Sequence, residues 1–227
     1  FAMIAQWLRA SRSAGALRAA TRRYAFGIAA VQVLWVLFLL IPGGPLQIVA
    51  FVVFALVEIS VPIFAEHRKQ TPWHPHHITE RYGLFTLIVL GESLLASANA
   101  IIESVHESEI LAPLIGIAAL TLIVTAALWW IYFWPPHHVA IGSLRSSLQH
   151  GYGHYVIFAS AAALSAGIEL EIDVITGKSA IPAPWASFAY TIPIAVFILG
   201  VWVLAIRRCR DAVGNGVVPV GALLVLI

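Results

Sequence analysis

Charged side chains, cysteine and familiar catalytic motifs are all scarce in this sequence. Only 11% of its 227 residues are charged, against about a quarter in soluble domains. This scarcity excludes an ordinary water-soluble globule, a disordered tail and a nucleic-acid-binding module. A single cysteine, Cys209, excludes an internal disulfide. The sequence also has no phosphate-binding glycine loop, serine elbow or zinc-protease motif, so no such motif assigns an activity.

Apolar residues dominate instead, at 60% of the chain with a mean hydropathy of +0.90. They form separate blocks of about 20 residues, which is the length that crosses a hydrocarbon layer roughly 30 Å thick as a helix. The sequence predicts six complete spans and the start of a seventh, near residues 24–41, 46–65, 78–101, 110–134, 150–172, 186–206 and from 212 onward. Because blocks of this length are too long for barrel strands, we expect an all-α, polytopic transmembrane helix bundle embedded in a lipid bilayer.

The basic residues predict how this bundle is oriented. Alternate loops between the predicted spans lie on opposite sides of the membrane. Twelve of the thirteen Lys and Arg residues fall on one side, and only Lys178 falls on the other. Short cytoplasmic loops hold the positive excess, so segment 1–23 is expected to be a cytoplasmic basic loop that precedes a transmembrane helical domain at 24–227. The sequence begins with Phe1 and ends within an apolar run, so we expect a fragment of a longer protein.

The span at 78–101 carries a polar stripe. On a helical wheel, Arg81, Glu92, Asn99 and Glu103 fall within about 40° of one another. A carboxylate at mid-membrane depth costs at least about 2.5 kcal/mol, so this stripe is expected to face the interior of the bundle. Two interpretations stay open: Glu92 lies on a substrate, ion or proton pathway, or it is protonated and hydrogen-bonds a neighbouring helix.

Two further acids lie within predicted spans. Glu58 precedes Pro62 by four residues, and proline cannot donate the backbone hydrogen bond that the Glu58 carbonyl would otherwise accept. A free carbonyl beside a carboxylate suits a cation, a water molecule or a donor from another helix. Glu169 lies on roughly the same helix face as His154, although it also suits a helix that simply ends in water.

Eight of the nine histidines fall at or near the predicted inner face, and clustered imidazoles bind transition metals. The candidate ligands are His74, His76, His77, His150 and His154. Their spacings do not reproduce the histidine boxes of membrane-bound di-iron enzymes, and histidines beside aromatic residues are also ordinary at a membrane interface. Metal binding is therefore the minor interpretation.

The segment HITERYGLFTLIVLGESLL at 77–95 resembles the signature of the bacterial low temperature requirement protein A (LtrA) family, H-x-x-E-R-x-G-L-F-x-I-I-x-L-G-E-S. The resemblance implies functional positions at His77, Glu80, Arg81, Gly83, Gly91 and Glu92. The family's acidic, aromatic N-terminal helix is absent, so the chain resembles the C-terminal part of those proteins. The family name records a growth phenotype rather than an established activity.

Together these features favour a multi-pass protein of the plasma membrane, the bacterial inner membrane, that transports a proton, a small cation or a coupled solute. Glu92 and Glu58 would be the carriers, Asn99 and Glu169 would line the pathway, and Glu80, Arg81 and His77 would form an inner gate. The sequence identifies no cofactor, and enzymatic activity is the less favoured of the open alternatives. A metal-dependent enzyme acting on lipid and a non-transporting sensor or scaffold stay open, as does a homo-oligomeric state.

Overall fold

The computed structural model describes residues 1–107, 111–209 and 212–227, and these residues form helices and connecting turns without any strand. The α-helices in the described part are α1 (Ala2–Ser13), α2 (Arg18–Phe38), α3 (Pro45–Glu66), α4 (Pro75–Glu107), α5 (Leu111–Phe133), α6 (Leu144–Ile175), α7 (Ala183–Leu204) and α8 (Ala212–Leu224). Short 3₁₀ turns occupy Gly15–Leu17, His137–Ala140 and Ile206–Arg208. The predicted all-α fold is confirmed.

Five of the described helices, α3 to α7, are long and apolar enough to cross a membrane. Each overlaps one of the predicted spans within a few residues. Residues 24–38 of the predicted span at 24–41 lie in α2, which is not among the five helices. Arg22 and Arg23, near the start of α2, lower its hydropathy. Helix α8 has 13 residues, which is shorter than a membrane span.

The chain divides into two compact units, residues 1–73 and residues 74–227. The predicted boundary at residue 24 between a basic loop and a transmembrane domain stays a prediction. Segment 1–23 contains α1 and the beginning of α2. Helix α1 packs on α2, and the ring of Trp7 stacks on that of Tyr24 with 4.2 Å between centroids. The cytoplasmic location of this segment stays a prediction.

In unit 1, α2 and α3 form a helical pair joined by a tight turn. Gly44 has φ = 137°, a backbone conformation that favours glycine, and Pro45 follows at the first position of α3. The indole ring of Trp35 on α2 contacts Phe51 and Phe54 of α3 edge-on, with centroids 5.5 and 6.0 Å apart. Aromatic packing therefore fixes the register of these two helices.

In unit 2, α6 is the helix that organises the packing, since it contacts α4, α5 and α7. Its buried face includes Ile157 and Leu164, which pack in one cluster with Tyr132 of α5 and Phe197 of α7. Glycine on α6 permits the closest approach to α7. A Cβ on Gly167 would lie 2.8 Å from the backbone nitrogen of Tyr190 and nearer still to the carbonyl of Ala189.

The Gly167→Ala substitution is therefore expected to destabilise unit 2. The added methyl group meets backbone rather than a flexible side chain, and such overpacking costs about 1–3 kcal/mol. A lower midpoint of thermal unfolding in detergent would record this loss. Gly116→Ala in α5 is the matched control, because its Cβ has no neighbour within 4 Å. Equal midpoints for the two variants would contradict the close contact.

Candidate functional site

Three buried histidines meet at one end of unit 2. His137 is 8% exposed, and His150 and His154 are fully buried. One ring nitrogen from each of the three lies within 4.8 Å of the others. We call these residues the three-histidine cluster.

Local sequence explains why these side chains converge. Ser143 caps the N-terminus of α6 in a reciprocal capping box with Ser146, which fixes where the helix begins. His150 and His154 then follow four residues apart, on one helix face. At the end of α5, Pro135 and Pro136 cannot continue a helix, and a 3₁₀ turn begins at His137.

Hydrogen bonds determine the protonation of two imidazoles. His154 donates from Nδ1 to the carbonyl of His150 at 2.6 Å, and its Nε2 accepts from the hydroxyl of Tyr132 at 2.8 Å. His137 donates from Nε2 to the Tyr132 carbonyl at 2.7 Å. Carbonyls only accept hydrogen bonds, so Nδ1 of His137 and Nε2 of His154 carry the lone pairs.

The cluster also contains unsatisfied nitrogens. Nδ1 of His137 and both ring nitrogens of His150 are buried without a hydrogen-bond partner in the described part of the chain. Burial lowers the pKa of His137, against the raising effect of its hydrogen bond to Tyr132, so its neutral form predominates at neutral pH. Buried polar atoms without partners are costly, and they indicate that the site accepts a ligand or water.

A cavity of about 400 Å³ lies beside the cluster, within unit 2. Tyr132 and His137 line its inner part, and Glu80 and His76 of α4 also line it. The rings of His76 and His138 stack along this wall with centroids 4.0 Å apart. The cavity therefore places exposed polar side chains of α4 in the same space as His137 of the cluster.

The structure divides the five predicted metal ligands into two groups. His150 and His154 join the cluster, whereas His74, His76 and His77 lie near one another around the start of α4. The exposed rings of His74 and His77 have centroids 5.2 Å apart. His137 was not predicted as a ligand, although its position directly after two prolines was a usable signal for a turn that reverses the chain.

Within unit 2, the polar stripe of α4 is not covered by another described helix, so its orientation toward the interior of the whole bundle stays a prediction. Arg81, Glu92, Asn99 and Glu103 are all exposed. The buried face of α4 carries small polar residues instead: Thr86, Ser93 and Ser97. The hydroxyl of Ser93 donates to the carbonyl of Ala161 on α6 at 3.0 Å. Small side chains permit this close approach, and they lie about 140° around the helix from the stripe.

The remaining predicted pathway residues of unit 2 are not brought together. His77 and Glu80 are exposed, and in the described part of the chain neither is hydrogen-bonded to Arg81. Of the three, Glu80 lines the cavity beside the cluster. Glu169 is exposed on the part of α6 far from His154.

Unit 1 holds a second polar site, around Glu58. Trp35 donates from its indole nitrogen to the Glu58 carboxylate at 2.9 Å. A cavity of about 230 Å³ adjoins this carboxylate and is lined by Tyr24, Gln32 and Pro62 among others. Glu58 therefore borders a chamber that also contains a hydroxyl and an amide.

Tyr24 links this chamber to a buried carboxylate. Its hydroxyl donates to Glu66 at 2.9 Å, and the hydroxyl of Thr71 donates to the same oxygen. Glu66 is only 5% exposed. The sequence places Glu66 at the start of a hydrophilic loop, which is why it was not predicted as part of the site.

Comparison with known proteins gives one family match. The family model described as bacterial low temperature requirement A protein (LtrA) matches residues 1–227. No curated protein and no solved structure matches the chain.

The Tyr132→Phe substitution is expected to destabilise unit 2 by about 1–3 kcal/mol, because it removes the donor to Nε2 of buried His154. Thermal unfolding in detergent should show a lower midpoint. Tyr155→Phe is the matched control, since Tyr155 is 68% exposed. An unchanged midpoint for Tyr132→Phe would show that this hydrogen bond contributes little.

Proposed function

We propose that this chain, which belongs to the bacterial low temperature requirement A family, transports protons or a small cation. Several of its helices are apolar enough to span a bilayer, so it is an integral membrane protein. The proposal also includes a solute whose transport is coupled to such an ion. The protein would lie in the bacterial inner membrane with segment 1–23 in the cytoplasm, as the excess of Arg on that side favours.

The observation that carries this proposal is the line of polar groups in unit 1. It begins at Glu58, continues through the adjoining cavity to the hydroxyl of Tyr24, and ends at buried Glu66. The two carboxylates are eight residues apart on α3, or about 12 Å along the helix axis. Carboxylates at membrane depth mark ion and proton pathways more often than they serve packing.

The chamber beside exposed Glu58 offers a carboxylate, a hydroxyl and an amide to water or a partly hydrated ion, in an otherwise largely apolar lining. Its volume of about 230 Å³ holds several water molecules, at roughly 30 Å³ each. Pro62 lines it, and because proline has no N–H, the backbone carbonyl of Glu58 is free to accept a hydrogen bond or coordinate a cation. A proton would move between carboxylates through water and the Tyr24 hydroxyl.

Glu92 is proposed as a second carrier, with Asn99 and Glu169 on the pathway and with Glu80, Arg81 and His77 at its inner end. The exposed stripe of α4 runs along most of a span, and its carboxylate is costly in contact with lipid. In the membrane this stripe therefore requires water or protein against it, and a water-lined pathway meets that requirement.

A metal-dependent enzyme acting on lipid is a second candidate, favoured by the three-histidine cluster and the cavity beside it. Neutral imidazoles are the commonest ligands of catalytic zinc. This candidate requires turnover of a lipid, whereas the transport proposal requires flux without chemical change.

Glu58→Gln is expected to reduce proton or cation flux at least tenfold, because the amide cannot carry a proton or a negative charge. Flux would be measured with the full-length protein in proteoliposomes, with a trapped pH-sensitive dye and with radioactive monovalent cations. Asp173→Asn, in unit 2, is the charge-matched control and should keep wild-type flux. Equal flux in Glu58→Gln and the control would remove Glu58 from the pathway.

Glu92→Gln is likewise expected to abolish flux while leaving the protein folded, since glutamine keeps the size of the side chain. The same proteoliposome assay measures flux, and size-exclusion chromatography in detergent checks folding. If Glu92→Gln transports normally while Glu58→Gln does not, the pathway runs through unit 1 alone and Glu92 is structural.

A further inference from the structure

We propose that the three-histidine cluster is a binding site for a divalent first-row transition metal ion, with Zn²⁺ as the principal candidate. The ligands are Nδ1 of His137, a ring nitrogen of His150 and Nε2 of His154. This site does not depend on the transport proposal, because it lies in unit 2 and uses none of the carboxylates assigned to transport.

Distance supports three ligands to one ion. Tetrahedral zinc holds imidazole nitrogens at about 2.0–2.1 Å, so two such nitrogens lie roughly 3.4 Å apart. One ring nitrogen from each histidine already lies within 4.8 Å of the others. Side-chain rotations that shorten the longest of these separations by roughly 1.4 Å would bring three nitrogens to coordination distance.

The hydrogen bonds of the cluster orient two imidazoles as metal ligands. A metal-binding histidine usually donates its other ring N–H to a carbonyl or carboxylate, which fixes the tautomer. His137 donates to the carbonyl of Tyr132, and His154 donates to the carbonyl of His150. In both residues the remaining nitrogen carries the lone pair that a metal requires.

His150 gives the strongest reason to expect a ligand. It is fully buried, and neither of its ring nitrogens has a hydrogen-bond partner in the described part of the chain. A metal ion would coordinate one of these nitrogens directly. The Tyr132 hydroxyl donates to Nε2 of His154, and this hydrogen bond would have to break for that nitrogen to bind the metal.

The nature of the ligands selects the class of metal. Imidazole suits Zn²⁺, Cu²⁺, Ni²⁺ and Fe²⁺, whereas Ca²⁺ and Mg²⁺ prefer oxygen ligands. The neighbouring charges act in opposite directions. Arg208 lies on one side, held by the carbonyl of Ala140 and the side chain of Gln149, and it opposes a cation. Glu80, in the wall of the adjoining cavity, attracts one and marks an entry route.

The test is metal binding by the purified full chain in detergent. After loading with Zn²⁺ and dialysis, elemental analysis should find one zinc per chain. Loading with Co²⁺ should give the intense visible absorption of tetrahedral nitrogen coordination. His150→Ala should weaken metal binding by tenfold or more, and His67→Ala, which removes an exposed histidine of unit 1, should bind as the wild type does.

Absence of bound zinc and of the cobalt spectrum in the wild type would overturn the proposal, and the cluster would then hold water only. Equal binding by His150→Ala and the wild type would overturn it as well. If His150→Ala does not fold, His137→Ala tests the same site from the connecting turn. Glu58→Gln should retain the metal, so a failed transport assay and a failed metal assay are distinguishable.

Discussion

The constraint that governs this structure is the cost of a polar group in a medium that cannot hydrate it. In unit 2, several buried polar side chains have hydrogen-bond partners on neighbouring helices. Ser93 bonds the α6 backbone, and Tyr132 and His154 bond each other. His150 departs from this pattern, with two unpartnered nitrogens at full burial. A bound ion or ligand is the simplest way to restore the pattern.

Helix α6 connects the packing of unit 2 to this site. Its glycines let other elements approach closely: a Cβ on Gly151 would lie 2.7 Å from the hydroxyl of Tyr82, and Gly167 contacts the α7 backbone. The ring of Tyr82 in turn packs against His154, with centroids 4.6 Å apart. Close approach on both sides therefore restricts the rotamers that the two α6 imidazoles can adopt.

The lengths of the apolar blocks were sufficient to predict the five long helices, because bilayer thickness fixes the length of a span. They did not predict which face of α4 is packed. A helical wheel identifies residues that share a face, such as Glu92 and Asn99, but not the helix that covers it. Close contact with α6 selected the face of small residues, Ser93 and Ser97. His137 was not predicted as a ligand because its role depends on the turn after Pro136. Glu66 was not predicted as part of a site because it lies at a helix end.

The two candidate sites differ in the chemistry that they offer a cation. Around Glu58 the groups are carboxylate, hydroxyl, amide and carbonyl oxygens, which suit protons and hard cations that retain water. The three-histidine cluster offers neutral nitrogens, which suit transition metals and bind them more tightly. An ion in transit must bind weakly enough to leave its site. The few oxygen groups of the largely apolar chamber in unit 1 therefore fit the proposed transport of an ion, and the nitrogen cluster of unit 2 fits the proposed resident metal.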